Sequence, residues 1–155
     1  MASLLCRSCS KARLISPYSS RAQAPWMQPR PMRRSVAAAA TGGIQQMTVQ
    51  ELQQLLVDEA RSEGVQFVDV REPGEHVMAK LPRFKLFPLS QAPIWSDTIT
   101  DDLDIAKPTV VLCHHGVRSM QMSAFLVSKG FVDVANVVGG IHAYSMGVDP
   151  NVPTY

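Results

Sequence analysis

The N-terminal third of the chain has no carboxylate: the first acidic side chain is Glu51. Residues 1–43 carry only basic charge, from Arg7, Lys11, Arg13, Arg21, Arg30, Arg33 and Arg34. The segment is rich in Ser, Arg and Ala and has no sustained helical or alternating apolar pattern, which is the composition of an organelle transit peptide. Its start, MASLLCRSCS, and its serine density favour a chloroplast, with a mitochondrion as the alternative. The other reading is a basic tail that stays attached. Cysteine is scarce too. Cys6 and Cys9 form a CRSC spacing, but no second pair completes a tetrahedral metal site. Residues 44–155 keep Cys113 alone, which excludes an internal disulfide. No apolar run approaches the roughly 20 residues of a membrane helix.

Removing seven basic residues leaves eight of the 15 basic and all 13 acidic side chains in 44–155, a net charge of −5. That balance argues against binding nucleic acid or an anionic membrane by bulk electrostatics. The chain therefore divides into a segment 1–43, expected to be removed, and a domain 44–155.

Within the domain, short apolar runs alternate with helical patterns. IQQM (44–47), VQFVDV (65–70), FKLFPL (84–89), PTVVL (108–112) and VDVANVV (132–138) read as strands. Pro88 weakens the third. Thr48-Val49-Gln50-Glu51 is a capping box opening a helix with Val49, Leu52, Leu55, Leu56 and Ala60 on one face, ended by Gly64. A short helix follows Pro73-Gly74, and QAPIWSDTIT is read as another. Asp101 to Asp104 reads as a solvated acidic connection. A longer helix starts at Val117, with Val117, Met120, Ala124 and Val127 on its apolar stripe, widened by Phe125 and Leu126, and Gly130 as its stop. Gly139-Gly140 opens a last helix, IHAYSMG. Phe67, Trp95 and Phe125 read as core. Strands separated by helices imply a mostly parallel five-stranded α/β sheet with helices on both faces. PTVVL, apolar on both faces, belongs at its centre. Sites in such sheets form beyond the carboxyl ends of the strands, and Cys113 follows PTVVL directly.

The segment Cys113-His114-His115-Gly116-Val117-Arg118-Ser119 has features suited to a nucleophilic sulfur. A cysteine attacks as its thiolate. A loop feeding a helix faces that sulfur with unpaired backbone N–H groups and the positive helix end. Gly116 lets the backbone curl so that several N–H groups converge. Arg118 adds a permanent positive charge, and the Ser119 hydroxyl either caps the helix or joins the cradle.

At these residues the chain resembles the rhodanese family of sulfurtransferases, whose active loop begins with the catalytic cysteine, has six residues and leads into a helix. VDVREPGEH resembles the family's upstream signature, with Asp69, Arg71, Glu72 and Glu75 in the expected places, and VVGGIHAYS (137–145) resembles its closing segment. CHHGVRSMQ and DPNVPTY are similar to single-domain rhodaneses of cyanobacteria, in keeping with a chloroplast protein. One departure is visible: Lys80-Leu81-Pro82-Arg83 stands where many members have His-Ile-Pro-Gly, which loses a glycine and places charge in the turn.

The resemblance implies a single rhodanese-like domain and two-step sulfur transfer. On that resemblance Cys113 is expected to take a sulfane sulfur from thiosulfate or a similar anionic donor and to pass it from a persulfide to cyanide, a thiol or a sulfur-accepting protein. It implies no metal and no organic cofactor. Arg118 suits a dianionic donor. Arg71 is a second candidate anion-binding group, its alternative being an ion pair with Glu72 or Glu75. Asp69 is expected to hold the neighbouring loop through backbone N–H groups. His114 and His115 either line the entrance and tune the cysteine or are simply exposed polar residues.

Three rivals stand beside this reading. A cysteine phosphatase or arsenate reductase needs five residues between Cys and Arg, whereas four separate Cys113 from Arg118. A metal site from Cys113, His114 and His115 would require adjacent residues to aim at one ion. A persulfide carrier or docking module without donor turnover would keep the same cysteine. His76 and His142 read as ordinary polar packing.

Overall fold

A computed structural model describes residues 43–155. The expected transit segment, apart from Gly43, lies outside the described residues. The elements run β1 (Gln45–Met47), α1 (Val49–Val57), α2 (Glu59–Ser62), β2 (Gln66–Asp69), α3 (Pro73–Met78), β3 (Lys85–Leu86), α4 (Ala92–Trp95), α5 (Ile99–Asp102), β4 (Thr109–Leu112), α6 (Val117–Ser128), β5 (Val134–Val137) and α7 (Gly140–Gly147). A single 3₁₀ turn, Leu89–Gln91, leads into α4. The five strands form one sheet in the order β1-β5-β4-β2-β3, with every ladder parallel. β4 is central and buried along its whole length, as its apolar sequence requires.

Side chains on successive strand residues face opposite ways, and the core divides accordingly. Phe67, Val110, Leu112, Ala135 and Val137 pack with Val49, Leu52, Leu55, Ile141 and Tyr144 from α1 and α7. Val68, Val70, Val111, Cys113 and Val134 pack on the other face with Met122 and Leu126 of α6 and with Trp95, Ile99 and Leu103. The helices therefore cover both faces. Among the described residues, no helix is long and apolar enough to cross a membrane.

The Thr48 capping box forms in both directions: Glu51 N–H donates to Thr48 Oγ1 at 3.2 Å, and Thr48 N–H donates to Glu51 Oε2 at 2.9 Å. The helix it opens does not run unbroken to Gly64. Asp58 is extended and its carboxylate accepts from Arg61 N–H, so it ends α1 and caps α2. Ala60, placed on the buried stripe by periodicity, is consequently exposed. β3 shrinks to two residues at the sheet edge. Asp101 and Asp102 belong to α5, and Leu103 behind them is buried; the solvated connection is thus a helical turn clamped onto the core.

The largest correction concerns α6. Its buried residues are Ser119, Met122, Ser123 and Leu126, while Val117 is 68% exposed and Ala124 is exposed. Apolar periodicity pointed to a different face because two serines occupy the buried one. Both are hydrogen-bonded: Ser123 Oγ donates to Ser119 O at 2.8 Å, and Ser119 reaches the cysteine. Burial of a hydroxyl is tolerated once it has a partner.

Candidate active site

Cys113 directly follows β4 and is 1% exposed. The backbone turns at once. Gly116 has φ +93°, and a Cβ there would lie 3.0 Å from Gly139 N and 3.1 Å from Val137 O. A glycine is needed both for the left-handed backbone and for the contact. This turn brings Gly116 N–H to Cys113 Sγ at 3.0 Å. Val117 then opens α6, and one turn into it Ser119 Oγ lies 3.2 Å from Sγ and 2.6 Å from Asn136 Oδ1. Asn136 Nδ2 donates in turn to Gln46 Oε1 at 3.0 Å. The first N–H groups of α6 have no acceptor within the helix and face the loop that carries the sulfur.

The loop is backed by the start of α7. Ile141 N–H donates to Cys113 O at 2.9 Å and His142 N–H to His114 O at 3.1 Å. Gly140 permits this approach: a Cβ there would sit 2.3 Å from both carbonyl oxygens. The closing Gly-Gly therefore fixes the loop from behind.

Arg118 is half-buried and its charge is paired. Its two terminal nitrogens fork onto Glu75, Nη1 to Oε2 and Nη2 to Oε1, each at 2.6 Å. The Arg118 guanidinium holds the Glu75 carboxyl down to about 2 from an ordinary 4.5, against the opposing effect of burial and with help from the Glu72 backbone. Arg118 in turn has its affinity for its proton raised, chiefly by that hydrogen bond. His114 stacks between His115 and Tyr155, at centroid separations of 3.9 and 4.3 Å. Burial, and then the charge of His115, lower its pKa and favour the neutral ring. His115 is exposed.

Arg71 is 0% exposed and is fully committed within the protein. It binds Asp69 through Nε at 3.0 Å and Nη2 at 2.6 Å, Tyr155 Oη at 2.7 Å and Ala79 O at 2.8 Å. It has no exposed donor for an external anion, and its ion pair is with Asp69, not with Glu72 or Glu75. Asp69 Oδ1 also accepts from Arg71 N–H at 3.0 Å, and His76 Nδ1 lies 3.1 Å from Asp69 Oδ2. This buried group is the frame on which α3 is hung.

Cys113, His114, His115, Gly116, Val117, Arg118 and Ser119 thus form one loop and helix start, whereas Arg71 and Asp69 lie in the supporting frame. Sequence reasoning missed Glu75 as the partner of Arg118, and it missed Asn136 and Tyr155. Asn136 had a signal: it is a polar side chain in the apolar run VDVANVV. Tyr155, at a sequence separation of 84 from Arg71, had none.

The rhodanese-like domain family matches residues 48–146, and the chain belongs to that family. Over 112 residues it is 46% identical to rhodanese-like/PpiC domain-containing protein 12, chloroplastic, of Arabidopsis thaliana, which covers 72% of this chain. The match spans only 38% of that relative's length. A sulfurtransferase of Allochromatium vinosum is 32% identical over 102 residues, covering 66% of this chain and 89% of its own length. Among solved structures, a rhodanese-like domain protein from Staphylococcus aureus superposes with a TM-score of 0.57 at 29% identity, covering 72% of this chain and 99% of its own. At family level the chain is therefore a rhodanese-like protein with sulfurtransferase relatives.

Proposed function

We propose that this protein transfers a sulfane sulfur through a persulfide on Cys113. The observation that carries the reading is the position of Sγ at the carboxyl end of the central strand, where it meets Gly116 N–H at 3.0 Å and the Ser119 hydroxyl at 3.2 Å. Donors aimed at sulfur stabilise an anion on it. In the first half-reaction the Cys113 thiolate attacks the outer sulfur of thiosulfate. The S–S bond of the donor breaks, sulfite leaves with the bonding pair, and Cys113 holds a persulfide anion. In the second, cyanide or a thiolate attacks the outer sulfur, and the Cys113 thiolate returns. This is covalent, two-stage catalysis.

Intact mass measurement after incubation with thiosulfate tests it. The protein gains the mass of one sulfur, cyanide removes it, and Cys113→Ser never acquires it. Hydrolysis of a phosphoester through Cys113 with no sulfur gain would overturn the reading.

One observation favours a second reading. The Glu75 fork on Arg118 neutralises the charge that would attract a dianionic donor. A persulfide carrier loaded by another protein has no need of that charge. Loading from a protein persulfide but not from thiosulfate would select the carrier. The chloroplast is the proposed compartment, with residues 1–43 as the transit peptide, supported by the chloroplastic relative. N-terminal sequencing of the protein recovered from plastids checks both.

A further inference from the structure

The Cys113 loop carries two consecutive histidines, and the first turn of α7 supplies a third. The bond from His142 N–H to His114 O at 3.1 Å sets α7 against the loop and with it brings three imidazoles together. His115 lies 3.9 Å from His114 and 5.2 Å from His142 between ring centroids, and His114 lies 5.7 Å from His142. Each ring offers a nitrogen, and these atoms lie within 4.8 Å of one another.

Two nitrogens of these rings, His114 Nε2 and His142 Nδ1, are buried without a hydrogen-bond partner. Buried polar atoms rarely remain so. The other nitrogen of His114 faces Glu75 Oε1 at 3.8 Å, the side from which a carboxylate orients a ligating imidazole. An ion held by the three rings would give both orphaned atoms a partner, and the exposed His115 leaves a way in.

We propose that His114, His115 and His142 bind a divalent transition-metal ion of the zinc class at the rim of the Cys113 loop. Three neutral imidazoles suit zinc, copper or nickel and are poor ligands for magnesium or calcium. Zinc–nitrogen bonds of about 2.0–2.1 Å require the rings to close from their present spread by side-chain rotation, leaving a further position for water. The sequence pointed away from such a site because the adjacent pair His114–His115 needs a ligand from elsewhere, and that ligand is His142 from another element. Cys113 and Glu75 are outside the ligand group. An occupied site ties the loop to α7 beside the entrance to Cys113, and so slows sulfur loading. This last consequence rests on the sulfur-transfer reading; the binding does not.

The test uses the full chain with Cys6→Ser and Cys9→Ser, which removes the other thiols, and zinc chloride as the probe. Equilibrium dialysis is expected to find one zinc per chain, retained in Cys113→Ser. The affinity should fall by at least about tenfold in His142→Ala and in His115→Ala; the exposed His115 can be truncated without disturbing the core. Absence of stoichiometric zinc overturns the proposal, as does zinc that is lost in Cys113→Ser but kept in both histidine variants. Zinc should slow the gain of sulfur from thiosulfate, a chelator should restore it, and the zinc effect should vanish in His115→Ala. Zinc bound by the histidines with no effect on loading overturns the regulatory half alone. A chain that binds zinc but takes up no sulfur in metal-free buffer leaves the site standing and refutes thiosulfate as donor.

Discussion

Arg118 carries the only permanent positive charge between Cys113 and Ser119, and Glu75 takes it through two bonds of 2.6 Å. Glu75→Gln removes the competing negative charge while keeping the shape. Its KM for thiosulfate is expected to fall about two- to fivefold, the equivalent of the roughly 0.5–1 kcal/mol typical of a partly exposed ion pair. A rise in KM would mean instead that the pair positions the site as it stands. The same substitution has a pH signature. The folded protein holds the Glu75 carboxyl at about 2 against an ordinary 4.5, so its ionised form is the one that stabilises. That contribution is complete above about pH 4.5 and disappears as the pH falls towards 2. Urea midpoints of wild type and Glu75→Gln should differ most near neutrality and converge across that acid window.

At the scale of elements, local signals were the legible ones. The Thr48 capping box, the doubly apolar β4 and the cysteine at its end each depend on a few neighbouring residues. α6 misled because its buried face is chosen by what Ser119 touches, which no periodicity contains. The Lys80–Arg83 turn shows the converse. The departure from glycine was visible, and the structure shows its consequence: Arg83 is the one non-glycine residue with positive φ, +70°, among the described residues. Its guanidinium bonds Ser62 Oγ, which offsets part of the strain. A left-handed backbone disfavours an ordinary residue by about 1–2 kcal/mol. Arg83→Gly is therefore expected to raise stability by about 0.5–1 kcal/mol once the lost bond and the added chain entropy are counted. Thermal unfolding of Arg83→Gly beside Arg83→Ala checks this, since alanine removes the bond without relieving the backbone.

At the scale of the whole molecule, the site depends on contacts between residues far apart in the chain. Glu75 and Arg118 are 43 positions apart, and Arg71 and Tyr155 are 84 apart; pattern reading has no access to such distances. The fully buried Asp69–Arg71 pair joins the end of β2, the α3 segment and the C-terminal tyrosine. Asp69→Ala leaves a guanidinium uncompensated in the interior and should destabilise the domain by about 3–5 kcal/mol. Denaturant titration gives the loss. Sulfur uptake per folded molecule should change far less, because neither Asp69 nor Arg71 bonds the sulfur.

The Ser119 hydroxyl has one proton and two acceptors within reach. While Cys113 is a thiol, its own S–H can point at Ser119 Oγ, and the serine proton stays with Asn136. A sulfur anion, already served by Gly116 N–H, can draw that proton as well, and the Asn136 carbonyl then loses its donor. The amide recovers a full set of bonds by rotating half a turn, presenting its NH₂ to Ser119 and its oxygen to Gln46, whose amide must rotate to match. The thiol and thiolate forms of Cys113 therefore call for opposite orientations of the Asn136 amide and of Gln46, an exposed residue on the edge strand β1. The chain of side-chain bonds that begins at the buried sulfur thus runs through Ser119 and Asn136 and ends at the surface on Gln46.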